Sequence, residues 1–155
     1  MDKLADTYFF KDLEGDEIET LKRITEIRDV EKSERILNQG QPSDRLFIVR
    51  TGSVRVLLPM TEEMQAEDIE EQTLVTLGPG ECFGEFAFVD RNPTSAAVEA
   101  AEDGSVYVIK HADLDATLLA NPPSAVKILR ALLHILVERF RNTDIELAMR
   151  RAFGS

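Results

Sequence analysis

Hydrophobic positions change their period twice along this chain. Ile18, Leu21 and Ile24 recur at helical spacing behind the acidic pair Asp16-Glu17, which suits a helix N-terminus. From about Arg28 to Lys110 the period becomes that of short strands: Arg35 to Leu37, Leu46 to Arg50, Val54 to Leu58, Thr73 to Leu77, Ser95 to Ala100 and Val106 to Lys110. Turn clusters separate them at Asn38 to Asp44, Thr51-Gly52-Ser53, Gly78-Pro79-Gly80 and Asp103-Gly104. Strands so short and so regularly punctuated predict an antiparallel sandwich or barrel.

After Lys110 the helical period returns. Leu114, Leu118 and Leu119 predict a short helix that stops at Asn121-Pro122-Pro123. Ser124 then offers an N-cap hydroxyl to a segment without glycine or proline from Ala125 to Phe153, read as one helix or two nearly continuous ones. Val126, Leu129, Leu133, Leu136 and Phe140 form one apolar stripe, and Ile128, Leu132 and Ile135 widen it. The plainest reading packs the whole arc on the barrel. Its width exceeds what one small barrel needs, so a homodimer through the 124–150 helix is the expectation.

The chain's 155 residues fit one domain, with a helical part at 1–27, a β-roll at 28–110 and C-terminal helices at 111–155. No stretch approaches the roughly 20 apolar residues of a membrane span, and MDKLADTYFF lacks the flanks of a secretion signal. With Cys82 alone no internal disulfide forms, and a cytoplasmic setting is expected. The formal charge of -11 argues against general nucleic-acid or anionic-membrane binding. Its distribution is uneven. Residues 61–71, TEEMQAEDIEE, hold six acids and no base, residues 72–126 hold eight acids against two bases, and residues 127–155 hold six bases against three acids. The 61–71 stretch reads as a solvated acidic loop.

Catalytic signatures are absent from this reading. Gly78, Gly80 and Gly84 miss the dinucleotide fingerprint by one residue and lack its strand-helix crossover. His111 and His134 lie on separate helical segments and read as structural rather than as metal ligands, and Cys82 reads as a small buried hydrophobe. The expectation is a protein that is not an enzyme and needs no cofactor.

One segment carries chemistry: GPGECFGEFAFVDRNPTSAAVEA, Gly78 to Ala100. A glycine-rich turn leads through Phe83-Gly84 into a short apolar helix from Glu85 to Val89, then to a turn at Asn92-Pro93 and a new strand. A helix start beside a glycine presents backbone N–H groups to an anion, and Glu85 offers a carboxylate to a sugar hydroxyl. This segment resembles the phosphate-binding cassette (78–98) of the cyclic nucleotide-binding domain family, shared by catabolite-activator-type regulators and protein kinase A regulatory subunits. The turn Asn38-Gln39-Gly40-Gln41-Pro42-Ser43-Asp44, followed by LFIVRTGSVRV, resembles that family's glycine-and-acid turn and strand pair.

The resemblance implies a mainly β fold with flanking helices: an eight-stranded jelly-roll β-barrel, an N-terminal helix and two C-terminal helices. It implies that the Phe83-Gly84-Glu85 step faces the ligand, with Glu85 accepting the ribose 2′-hydroxyl and the Gly84, Glu85 and Phe86 backbone meeting the cyclic phosphate of cAMP or cGMP. The family's arginine after the cassette proline is replaced here by Thr94; Ser95 matches a serine of some bacterial members, and Ala97 stands where many relatives carry threonine. Losing one charge-assisted contact removes about 1.5–3 kcal/mol, or roughly one to two decades of affinity. Arg91 is the one basic side chain in the cassette able to substitute as a phosphate partner. Two readings follow: a stand-alone regulatory sensor that passes ligand arrival to its C-terminal helices, or a non-binding member serving as a dimerisation or protein-interaction module. The first needs a client protein of unknown identity; neither includes a DNA-binding module.

Overall fold

A computed structural model describes residues 4–153, without the side chains of 143–150 and 153; Gly154-Ser155 and the side chains at the far end of the expected 124–150 dimer helix lie outside the described residues. Two 3-10 turns, Leu4–Asp6 and Tyr8–Phe10, precede α1 (Gly15–Arg23). Eight strands follow: β1 (Thr25–Val30), β2 (Arg35–Leu37), β3 (Arg45–Thr51), β4 (Val54–Leu57), β5 (Thr73–Leu77), β6 (Cys82–Phe83), β7 (Val98–Ala100) and β8 (Gly104–Lys110). Interleaved are α2 (Glu62–Ala66) and α3 (Glu85–Asp90), and α4 (His111–Ala120) and α5 (Pro122–Phe153) close the chain.

The strands form two four-stranded antiparallel sheets in the orders β1-β8-β3-β6 and β2-β7-β4-β5. The central strands of the first sheet, β3 and β8, are covered on both sides. Phe47, Val49, Val106 and Val108 face the second sheet, while Leu46, Ile48, Tyr107 and Ile109 face the helices. Two buried faces explain why LFIV and VYVI are unbroken apolar runs rather than alternating ones. On the second sheet only one face is buried: Val54, Leu77, Val98 and Ala100 join the core between the sheets, while Arg55 and Glu99, opposite one another, are only partly buried.

Four local readings change. The β-roll begins at Thr25, because β1 pairs along its whole length with β8 although Glu26, Ile27 and Asp29 are exposed. β7 begins at Val98, since the Thr94 backbone is bonded to the 38–41 turn and residues 95 and 96 bend away. The acidic 61–71 stretch contains a turn of helix, α2, capped by Thr61 Oγ1, which accepts from the Met64 N–H at 3.2 Å. Finally, Ser124 is not a cap. α5 opens on Pro122, a residue suited to the first helical position, and Ser124 Oγ instead donates to Glu17 of α1.

Glu17 also accepts from Lys127 Nζ at 2.6 Å, and with Glu14 it closes a capping box on α1. The bonds from Lys127, Ser124 and the Glu14 backbone hold its carboxyl down at about 2. One side chain thus caps α1 and ties it to the first turn of α5.

On α5 the stripe that meets the body is Ile128, Ala131 and Leu132, joined by the half-buried Ile135 and Leu136. The other expected stripe is solvent-facing: Val126, Leu129, Leu133 at 61% exposure and Phe140 at 67%. Packing of the whole arc on the barrel is therefore corrected to packing of one side only. Ile128→Ala should cost about 2–4 kcal/mol in urea unfolding, as buried Ile-to-Ala changes do, whereas Leu119→Ala on the exposed face of α4 should stay within about 0.5 kcal/mol.

Candidate functional site

The 78–98 segment is built outward from a ring stack. Phe83, on the two-residue strand β6, lies parallel to Phe47 with ring centroids 4.9 Å apart, which fixes the entry to the cassette against β3. Gly84 follows with φ +80, and a Cβ there would sit 2.7 Å from the Arg45 carbonyl oxygen. Both the left-handed backbone and the close approach to β3 require glycine. α3 starts on the next residue and ends at Arg91, itself left-handed at φ 58, whose N–H bonds the Ala87 carbonyl at 2.9 Å.

The two ends of this segment are held by different parts of the fold. At the entry, His111 Nε2 lies 3.2 Å from the Gly84 carbonyl oxygen, and its ring packs against Phe88. His111 begins α4, so the cassette is joined to the point where the β-roll hands over to the C-terminal helices. Burial holds its imidazole below the usual histidine range. At the exit, Thr94 N–H donates to the Gln41 carbonyl at 3.0 Å and the Thr94 carbonyl accepts from Gly40 N–H at 2.8 Å. The 38–44 turn and the cassette, the two segments singled out in the sequence, are thus in direct contact.

Glu85 is the chemical centre. Its side chain is buried, only 4% exposed as a residue. Burial pushes its carboxyl above the usual range, and Arg139 of α5 opposes that rise. The Arg139 guanidinium donates through Nη1 to Glu85 Oε1 and through Nη2 to the Cys82 carbonyl at 2.6 Å. A forked cation therefore clamps the first residue of α3 and the strand before it to the last helix. The Cys82 thiol is pushed up to about 12, chiefly by burial and further by the neighbouring Glu85, and is inert at physiological pH.

Of the remaining candidates, Phe86 is 52% exposed beside Glu85, Thr94 is half-buried and Ser95 exposed. Arg91 projects from the exposed end of α3, and its side chain makes no ion pair or hydrogen bond among the described residues. No positive side chain of the cassette is placed in a bond to Thr94 or Ser95. His134 is bonded to Glu138 at 3.1 Å and stacked on Tyr8, and among the described residues no group of three His, Cys, Asp or Glu side chains is placed to hold a metal ion.

This arrangement coincides with a match of residues 27–121 to the family model described as cyclic nucleotide-binding domain. The chain belongs to the cyclic nucleotide-binding domain family. Its relatives include the CRP-like cAMP-activated global transcriptional regulator of Mycobacterium tuberculosis, 30% identical over 148 residues, covering 94% of this chain and 60% of that protein. Glutaminase 1 of Bradyrhizobium diazoefficiens is 30% identical over 137 residues, covering 88% of this chain and 21% of that one. The chain thus spans between about a fifth and three fifths of these curated relatives. Among solved structures, a cyclic nucleotide-binding domain from Methylobacillus flagellatus superposes with a TM-score of 0.79 at 25% identity, over 94% of this chain and 85% of that one. In fold alone, the regulatory subunit of a cAMP-independent protein kinase A from Trypanosoma brucei is also similar, with a TM-score of 0.67 at 20% identity over 82% of this chain and 43% of that one. A triple mutant of it, one change being threonine to arginine, is described as bound to cAMP in the A site.

Within this cyclic nucleotide-binding fold, sequence reasoning passed over Arg139. The signal was there: Ile128, Leu132, Ile135 and Arg139 fall at helical spacing on the side that meets the body, and a cation in register with a buried stripe requires a buried partner. No helix among the described residues is long and apolar enough to cross a membrane.

The ion pair makes a pH-dependent prediction. Since the folded protein holds the Glu85 pKa above its ordinary 4.5, the contribution of this group to stability is complete below that pH and is lost as pH rises through the raised value. Arg139→Gln removes the opposing cation, so the loss should deepen toward neutrality, reaching about 2–4 kcal/mol, reduced from the fully buried case because the guanidinium is partly exposed. Urea unfolding of both proteins at pH 5 and pH 7.5 measures it; a deficit that does not grow with pH would contradict this account.

Proposed function

We propose that this chain is a regulatory sensor module in which a ligand at the cassette is read out by α5 through Arg139. The observation that supports this reading is the clamp itself: Glu85, to which the reading assigns a sugar hydroxyl, is already bonded to the helix that would transmit the signal. Any group that engages the Glu85 carboxylate perturbs its bond to Arg139, so occupancy and helix position are linked through one atom pair. The joint between His111 and Gly84 gives the same motion a second contact at the start of α4.

The favoured ligand class is a cyclic nucleotide, cAMP or cGMP, with Phe83, Gly84, Glu85 and Phe86 at the sugar and phosphate and Thr94 and Ser95 as neutral donors to the phosphate oxygens. Thr94 supplies no positive charge, and the block around it holds eight acids against two bases, so affinity is low. Calorimetric titration with millimolar cAMP and cGMP tests the reading. Wild-type binding should be weak, and Thr94→Arg should strengthen it by about one to two decades, the value of one charge-assisted contact. Silence of both proteins toward both nucleotides would sink the sensor reading. Silence of the wild type with a gain in Thr94→Arg favours the second reading, a non-binding member acting as an interaction module, which the uncompensated acidity of the cassette block supports.

In either case the module works as a homodimer through α5. Val126, Leu129, Leu133, Leu136 and Phe140 recur at alternating spacings of three and four, the pattern of a helix seam, and four of the five are exposed in the single chain. Leu133→Glu places a charge in that seam and should convert the dimer to monomer in sedimentation velocity without loss of fold; a wild-type protein that sediments as a monomer at high micromolar concentration would refute the dimer.

A further inference from the structure

We propose that the free edge of β5 accepts an extended, basic segment of another protein as an added strand, with the acids of residues 61–71 meeting its cations. β5 ends its sheet, paired with β4 on one side only. Thr73 to Thr76 are all exposed, Leu74 at 57% and Val75 at 45%, so this part of the strand has both faces in water while Leu77 anchors its end in the core. Its sequence, Thr-Leu-Val-Thr-Leu, carries none of the lysines, prolines or inward charges by which edge strands are usually blunted. An edge of this kind supplies a ladder of backbone donors and acceptors to an incoming strand, and alternate side-chain positions to grip it.

The charge beside this edge selects the occupant. α2 and the return to β5 are folded together, Ile69 N–H bonding the Met64 carbonyl at 3.0 Å and Leu58 N–H the Gln72 carbonyl at 2.7 Å, so the acidic stretch 61–71 leads directly into β5, with Glu67, Asp68, Glu70 and Glu71 in the seven residues before it. Of the six acids in that stretch only Glu71 is paired, to Arg35 at 2.9 Å, which leaves five carboxylates uncompensated among the described residues. A second copy fits poorly. Antiparallel pairing about Val75 would set Gly78, Pro79, Gly80 and Glu81 opposite the acids, offering no cation, one residue without an N–H and one further acid. A partner strand with lysine or arginine at its ends satisfies both the ladder and the charge.

The test uses the whole protein and a labelled nine-residue peptide of alternating valine and threonine with a lysine at each end. Fluorescence anisotropy should show binding that weakens as salt is raised, and amide shifts in NMR should centre on residues 73–77. Glutamates in place of the lysines, a central proline, or the protein variant Glu67→Gln/Asp68→Asn/Glu70→Gln should each weaken binding by about tenfold or more, as expected where charge and ladder both contribute. The triple variant alters exposed positions, and an unchanged melting curve verifies its fold. No binding of the lysine-ended peptide, equal binding of the glutamate-ended one, shifts centred elsewhere, or self-association of the protein through β5 would each overturn the proposal.

Discussion

A carboxylate and a guanidinium meet beneath the last helix, and the geometry of the C-terminal half follows from their pairing. Glu85 cannot be left charged and alone in a buried setting. Its charge is tolerated because Arg139 reaches it from α5, and Arg139 is held at the right depth because its second amino group is bonded to the Cys82 carbonyl. The three residues belong to β6, α3 and α5, so the seating of α5 on the body depends on a polar contact as well as on Ile128 and Leu132. A purely apolar seat would be stronger and less responsive. A seat with an ion pair at its far end can be biased by anything that changes the partners of that pair.

The electrostatics of the molecule divide along the same line. Acids dominate the middle of the chain and bases its last helix, and two of those bases are used internally, Lys127 on Glu17 at the start of α5 and Arg139 on Glu85 further along it. The helix is therefore attached to an acidic body at two points about three turns apart, with apolar side chains between them. Thr94 at the cassette exit, where the family resemblance implies an arginine, fits this economy of positive charge. What stands there is a neutral side chain fixed by its backbone to the 38–44 turn.

Much of this was legible in the residues, and the failures have physical causes. β3 and β8 were readable because a sheet buried on both faces writes unbroken apolar runs; β1 was not, since an edge strand with Glu26, Ile27 and Asp29 in water carries no such mark. The cassette could be located from Gly84, whose backbone conformation leaves little choice of residue. The face of α5 that meets the body could not be decided by periodicity alone, because both of its stripes are apolar and helical spacing is blind to what lies opposite. Arg139 would have decided it. A lone cation on the Ile128, Leu132, Ile135 line makes sense only if that line is buried against a carboxylate.

That observation also separates the two apolar stripes by role. The buried one is interrupted by a charge whose partner lies within the same chain, so its register on the body is fixed by a specific bond as well as by hydrophobic contact. The exposed one, Val126, Leu129, Leu133 and Phe140 with the half-buried Leu136 at its edge, contains no charge, and its four exposed members lie outside the core clusters of the described residues. Its spacing of three and four is the pattern on which the proposed two-fold pairing of α5 rests. Because both stripes lie on one rigid helix, a displacement that begins at Glu85 cannot stay local. It would either break the inner contacts or shift the outer stripe, and that shared rigidity is how the proposed dimer would couple a small site to its interface.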